Sequence, residues 1–106
     1  MTRVVRDRYG NEVYLTDERW NHIVERHPSM IGYQDHLLIT LRIGRRRQDP
    51  FDPTKFKYYA PFSELEPHYN HIVVVVKFQE QEMAEGGMRS NHFVLTSYQV
   101  FIYGRR

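Results

Sequence analysis

The chain has 106 residues, enough for one hydrophobic core and too few for two full domains, so 1–106 is expected to be a single domain. Its 41% hydrophobic and 26% charged residues exclude general disorder, the lack of cysteine excludes a disulfide scaffold, a thiolate nucleophile and a cysteine-ligated metal, and no apolar run approaches the ~18–20 residues of a membrane span. The net charge is only +2, but twelve of the fifteen basic residues are Arg and eight Tyr and six His accompany them, a composition compatible with an RNA-binding surface.

The N-terminal run Met1-Thr2-Arg3-Val4-Val5-Arg6 lacks the apolar core of a signal peptide, so the cytoplasm is the expected compartment. Arg3–Arg8 and Glu12–Leu15 read as two strands joined by a turn in which Gly10 and Asn11 tolerate positive φ. Thr16 can then cap a helix opening with Asp17 and Glu18, two acids suited to the positive helix end. Trp20, Ile23, Val24 and His27 recur at helical spacing, and Pro28 stops the run, which predicts a helix over Asp17–Arg26. A second helix is predicted over Tyr33–Leu41, with Gly44 ending it.

The remainder reads as strands. Arg45–Gln48 is short and basic, Lys55–Ala60 carries Tyr58 and Tyr59, and His71–Gln79 contains Val73-Val74-Val75-Val76, a run suited to a central strand covered on both faces. Glu80–Asn91 is polar and holds the Gly86-Gly87 hairpin loop; Phe93–Phe101 is a long final strand. The order ββ-α-α-ββββ, with short connections, is an α+β pattern: an N-terminal hairpin, then two helices on one face of a roughly four-stranded antiparallel sheet. No G-x-G-x-x-G and no Walker lysine loop is present, so NAD chemistry and phosphoryl transfer from ATP are poorly supported and no cofactor is expected.

Several residues could carry chemistry, each with a plainer alternative. On the first helix, His22 and Arg26 share a face at i, i+4, while His27 lies on the core side, where it is either a buried structural imidazole or a group looking into a cleft beside the sheet. His22 reads more simply as a solvated helix residue. In the last strand, alternation puts His92, Val94, Thr96, Tyr98 and Val100 on one face and Phe93, Leu95, Ser97 and Phe101 on the other, the more apolar set being expected toward the helices. Thr96 and Tyr98 are then either cleft residues or simply good strand formers. Lys77 breaks an apolar run as a solvated strand end or as a cation aimed at a substrate. Arg45-Arg46-Arg47 is either a charged edge that discourages strand addition or a phosphate site, the latter if it borders the His27 cleft. His68 and His71 beside Glu66 are too sparse a set for zinc, and no metal site is expected.

The run Val13-Tyr14-Leu15-Thr16-Asp17-Glu18-Arg19-Trp20-Asn21-His22-Ile23-Val24-Glu25-Arg26-His27-Pro28 resembles the opening of small nucleases grouped as barnase–EndoU–colicin–RelE-like. Lys57-Tyr58-Tyr59, Val73-Val74-Val75-Val76-Lys77 and Phe93-Val94-Leu95-Thr96-Ser97-Tyr98 resemble later pieces of that group in the same order, so the likeness spans about residues 13 to 98. It implies helices followed by a four-stranded antiparallel sheet, and metal-independent RNA cleavage of a toxin, phage or mobile-element type.

Cleavage of that kind uses the RNA 2′-hydroxyl as nucleophile and asks the protein for acid/base groups and cations. The catalytic set expected is His27, with Arg26 and Lys77 on phosphate oxygens, Thr96 and Tyr98 orienting the phosphate or leaving group, and His22 as a second acid/base group. Arg45, Arg46, Arg47 and Tyr58 are expected to bind RNA. The alternative is a non-catalytic RNA- or protein-binding module on the same fold. An acidic antitoxin or immunity protein is the expected partner of a nuclease. For His27 to join Thr96 and Tyr98 it must project past a sheet edge, or the last strand must carry a bulge; the edge arrangement is expected because Pro28 forces the chain out of the helix.

Overall fold

A computed structural model describes residues 1–104. Strands β1 (Thr2–Arg6) and β2 (Glu12–Thr16) form an antiparallel hairpin in register from Thr2↔Thr16 to Arg6↔Glu12. Its turn is organised by the Asp7 carboxylate, which accepts the backbone N–H groups of Tyr9 and Asn11 at 2.9 and 2.8 Å. Helix α1 (Asp17–Arg26) follows without a linker. Thr16 Oγ1 accepts the Arg19 N–H at 3.1 Å, the expected N-cap, and His27 leaves the helical region at φ −132°, ψ 79° just before Pro28. A 3₁₀ turn (Pro28–Met30) leads to α2 (Gln34–Ile43), two residues longer at its C-terminal end than the sequence suggests.

Six further strands follow among the described residues: β3 (Arg45–Gln48), β4 (Lys55–Pro61), β5 (His71–Lys77), β6 (Glu80–Glu82), β7 (Met88–Ser90) and β8 (His92–Val100). β6 and β7 form a separate two-stranded hairpin in the segment predicted as a polar hairpin loop. The α+β class and the N-terminal hairpin hold, but the sheet is neither four-stranded nor purely antiparallel. It has six strands in the order β1-β2-β8-β5-β4-β3, because β2 pairs in parallel with β8 through Val13↔His92 and Tyr14↔Phe93. That pairing lets Val13 and Leu15 bury beside Val94 instead of leaving an apolar hairpin edge in water.

The core lies between the helices and one sheet face. Ile23, Met30, Leu37 and Leu41 meet Tyr58, Ile72, Val74, Val76 and Val94, all fully or almost fully buried. Each such side chain contributes about 1.5–3 kcal/mol by leaving water. β5 is central, as its valine run suggests, but the helices cover only one of its two faces; on the other Val73 is buried and Val75 half-buried. The register of β8 shifts between Val75↔Thr96 and Val76↔Val94, leaving Leu95 as an extra residue in a bulge. The expected alternation of the last strand is therefore corrected in its first half. His92 and Val94 point into the core; beyond the bulge Ser97 and Gln99 do so, while Thr96 and Tyr98 face away.

Candidate functional site

The sheet face opposite the helices carries most of the idle chemistry. Register assembles it in rows. Arg45, Tyr59, Val73 and Tyr98 lie side by side across β3, β4, β5 and β8. Arg47, Lys57, Val75 and Thr96 form the next row, and Lys55, Lys77, Phe93 and Tyr14 a third across β4, β5, β8 and β2. Neighbouring strands are ~4.8 Å apart, so the first row spans ~14 Å from Arg45 to Tyr98.

His27 joins this face at its edge. The β2–β8 pairing ends at Tyr14 and Phe93; beyond it α1, continuing from β2, packs along β8. Arg19 Nη1 donates to the carbonyl of the bulged Leu95 at 3.3 Å and holds helix to strand. The far end of α1 then delivers the His27 ring to Tyr98, centroid to centroid 5.6 Å at an interplanar angle of 44°. His27 thus meets Tyr98 at the part of β8 that β2 leaves unpaired, the expected edge arrangement; the bulge, the other expected route, is also present, but it turns His92 and Val94 toward the helices and leaves Thr96 and Tyr98 facing away.

Polar groups on the two faces differ in employment. On the core face Ser97 Oγ donates to Val73 O at 2.8 Å, the Gln99 amide nitrogen donates to Ser29 O at 2.7 Å, and the Tyr58 hydroxyl donates to Asp7. On the open face the hydroxyls of Tyr59, Thr96 and Tyr98 and the ring of His27 have no hydrogen-bond partner among the described residues. Nor do Arg45, Arg47 and Lys57 meet a carboxylate there; the ion pairs on this side of the sheet are those of Lys55 and Lys77 with Asp52, at 3.9 and 3.6 Å. A pocket of about 350 Å³ lies among Arg47, Lys57, Tyr59 and Val73, closed on one side by Ile102. Asn70 fixes that closing segment: its Oδ1 accepts the Ile102 N–H and its Nδ2 donates to Ile102 O, at 2.8 and 3.1 Å.

The expected site residues thus divide. His27, Thr96, Tyr98, Arg45 and Arg47 share the open face. Lys77 shares it too, but stands four residues along β5 from the Tyr98 row, ~13 Å away, with its ammonium donating to Thr54 Oγ1 at 2.7 Å. It is therefore corrected out of the His27 cluster. Arg46 and Tyr58 are corrected out of the RNA-facing set, because alternation turns both to the core face. Tyr58 is fully buried, Arg46 Nη1 lies 3.6 Å from Asp7 Oδ2 and 3.3 Å from the Tyr58 hydroxyl, and its guanidinium sits over the rings of Tyr9 and Phe56 at 4.2 and 4.5 Å. Burial and the bond to Asp7 push the Tyr58 hydroxyl well above its ordinary range, so it stays neutral. Burial alone would raise the Asp7 carboxyl, but the hydrogen bonds from Tyr58, Asn11 and Tyr9 outweigh it and hold its pKa low. His22 and Arg26 are exposed on α1 with no polar side-chain partner among the described residues.

Lys57 and Tyr59 are the open-face residues that sequence reasoning passed over. The signal was present: Phe56, Tyr58 and Ala60 alternate with Lys55, Lys57 and Tyr59, and the more apolar triplet belongs to the core. Among the described residues no three His, Asp or Glu side chains converge as a metal-ligand group, and no helix is long and apolar enough to cross a membrane.

No family model, no curated protein and no solved structure matches this chain.

Proposed function

We propose that the protein is an endoribonuclease that cleaves RNA on the open sheet face with the substrate's own 2′-hydroxyl as nucleophile. The observation that carries this reading is the contact of the His27 ring with Tyr98 at the edge of a sheet face on which Arg45, Arg47 and Lys57 meet no carboxylate among the described residues. In the reaction the 2′-oxygen bonds to phosphorus and the bond from phosphorus to the 5′-oxygen breaks. His27 takes the 2′-hydroxyl proton on a ring nitrogen. Tyr98 gives a proton to the departing 5′-oxygen, Thr96 donates to a non-bridging oxygen, and Lys57, two strands from Thr96 in the same row, stabilises the charge that builds on phosphate, while Arg47 at the end of that row holds a neighbouring phosphate of the strand. The products are a 2′,3′-cyclic phosphate and a 5′-hydroxyl. The likeness of residues 13–28 to the barnase–EndoU–colicin–RelE-like nucleases supports the same reaction class, and an acidic inhibitor protein fits the same basic face.

The test is cleavage of total RNA by purified protein in EDTA, wild type against His27→Ala. Wild type is expected to leave 2′,3′-cyclic phosphate ends, and loss of a general base is expected to cost about 10²–10⁴-fold in rate. If wild type binds RNA with a steep salt dependence but leaves it intact, the same face is a binding module and the catalytic reading is wrong.

A further inference from the structure

A second pocket opens where the sheet splits. β2 and β8 stop pairing after Tyr14 and Phe93, α1 begins beside the split, and a space of about 220 Å³ remains among Tyr14, Arg19, Asn91 and Phe93. It is separate from the Arg47–Lys57 pocket and lies at the other end of the α1–β8 seam from His27. Eight helical residues separate Arg19 from His27, ~12 Å at ~1.5 Å per residue. A single RNA strand stacked at ~3.4 Å per nucleotide crosses that distance in three to four nucleotides.

The lining is neither apolar filler nor a cation cluster. Tyr14 and Phe93 are cross-strand neighbours whose rings share the open face, a platform for one flat base. Arg19 spends one donor on Leu95 O, which tethers the guanidinium at one nitrogen, and the rest of its fork meets no carboxylate among the described residues. Asn91 is held at the base of the β6–β7 hairpin by its backbone N–H, which donates to Gln79 O at 2.9 Å. Its partly exposed side-chain amide has no hydrogen-bond partner among the described residues and is free to bond a ligand in the pocket.

We infer that this pocket receives a purine base of the RNA strand, and that Arg19 and Asn91 set a base preference a few nucleotides from the cleaved bond. Both purines present an N7 acceptor beside a second polar group: guanine O6 suits the Arg fork, and the adenine amino group suits the Asn amide. A pyrimidine offers a single group on the corresponding edge and leaves one of the two side chains unpaired. The location relative to cleavage rests on the proposed nuclease function; the base pocket itself does not.

The full-length protein is titrated separately with GMP, AMP, CMP and UMP and followed by amide NMR, including the Asn91 side-chain signal. Purine monophosphates are expected to bind about tenfold more tightly than pyrimidine ones, with shifts centred on Asn91 and Phe93. Asn91→Ala and the charge-conserving Arg19→Lys, each checked for an unchanged thermal midpoint, are expected to erase that preference, while His27→Ala leaves it intact. Equal binding of all four nucleotides, or shifts confined to Arg47 and Lys57, overturns the inference. So do cut-site maps showing no base preference, identical in wild type and Asn91→Ala, and that outcome leaves the nuclease reading standing. Purine-selective binding without RNA cleavage does the reverse, supporting the pocket and removing the nuclease.

Discussion

His92 is an imidazole kept in a slot that favours its neutral form. Its ring stacks on Phe78 at 4.1 Å, and its buried Nδ1 has no hydrogen-bond partner among the described residues. Burial pushes its pKa below the ordinary 6.5; Asp7 and Glu80 pull the other way, and the Arg46 guanidinium adds to the lowering. The unfolded chain therefore takes up this proton at a higher pH than the folded one. The stabilisation is fully present above about pH 6.5 and is lost as the pH falls through the lower folded-state value. Urea midpoints measured from pH 7 to pH 5 are expected to fall in the wild type and to fall less in His92→Phe, which keeps the stack on Phe78. An identical fall in both proteins would sink this assignment. Asp7 does not confuse the reading, because its lowered pKa confines its effect to the region below about pH 3.8.

At the scale of elements, Gly44 is the joint that sets β3 on the sheet. It ends α2, donating its N–H to Thr40 O at 2.8 Å, and precedes Arg45, the partner of Tyr59. A Cβ here would lie 2.8 Å from the Tyr59 carbonyl oxygen and closer still to that of Thr40, both backbone atoms that cannot swing aside. The backbone dihedrals of Gly44, φ −70° and ψ 156°, suit any residue, so the requirement is one of space. Gly44→Ala is expected to cost about 2 kcal/mol in urea unfolding, the usual scale of overpacking. It should also weaken RNA binding, because β3 carries Arg45 and Arg47. A stability change under ~0.5 kcal/mol, as at an ordinary surface site, would show that helix and strand part without strain. The Leu95 bulge is the complementary device: one extra residue brings Thr96 and Tyr98 to the open face while His92 and Val94 stay in the core.

For the whole molecule, a net charge of +2 understates the field over one face. Asp7 and Asp52 each sit beside cations, whereas Arg45, Arg47 and Lys57 face solvent and form no ion pair with an acidic side chain among the described residues. Binding of a single RNA strand there releases counterions, with a slope of about −0.7 in log K against log salt for each phosphate neutralised. Replacing both Arg47 and Lys57 by Gln is expected to flatten that slope by about 1.4 and to weaken binding to all sequences alike. Fluorescence anisotropy of a labelled single-stranded RNA across a KCl series, with His27→Ala as the background to prevent cutting, measures it. An unchanged slope would move the RNA off this face.

The amino-acid order by itself determined what is decided within a few residues. Thr16 and Pro28 bound α1, the Gly10–Asn11 turn returns β2 on β1, and the valine run makes β5 central, because capping, turn chemistry and side-chain period act over one or two turns of chain. The alternation of Arg45-Arg46-Arg47 and of Lys57-Tyr58-Tyr59 was equally legible, but which of the two faces met the helices was not. Tertiary structure decided that through partners distant in sequence. Asp7 reaches Tyr58 across 51 residues and claims Arg46 with it, and Arg19 reaches Leu95 across 76 and aligns α1 with β8. The parallel β2–β8 pairing and the bulge belong to the same class. They depend on which apolar edges bury together once the chain has closed, and no local propensity encodes that choice.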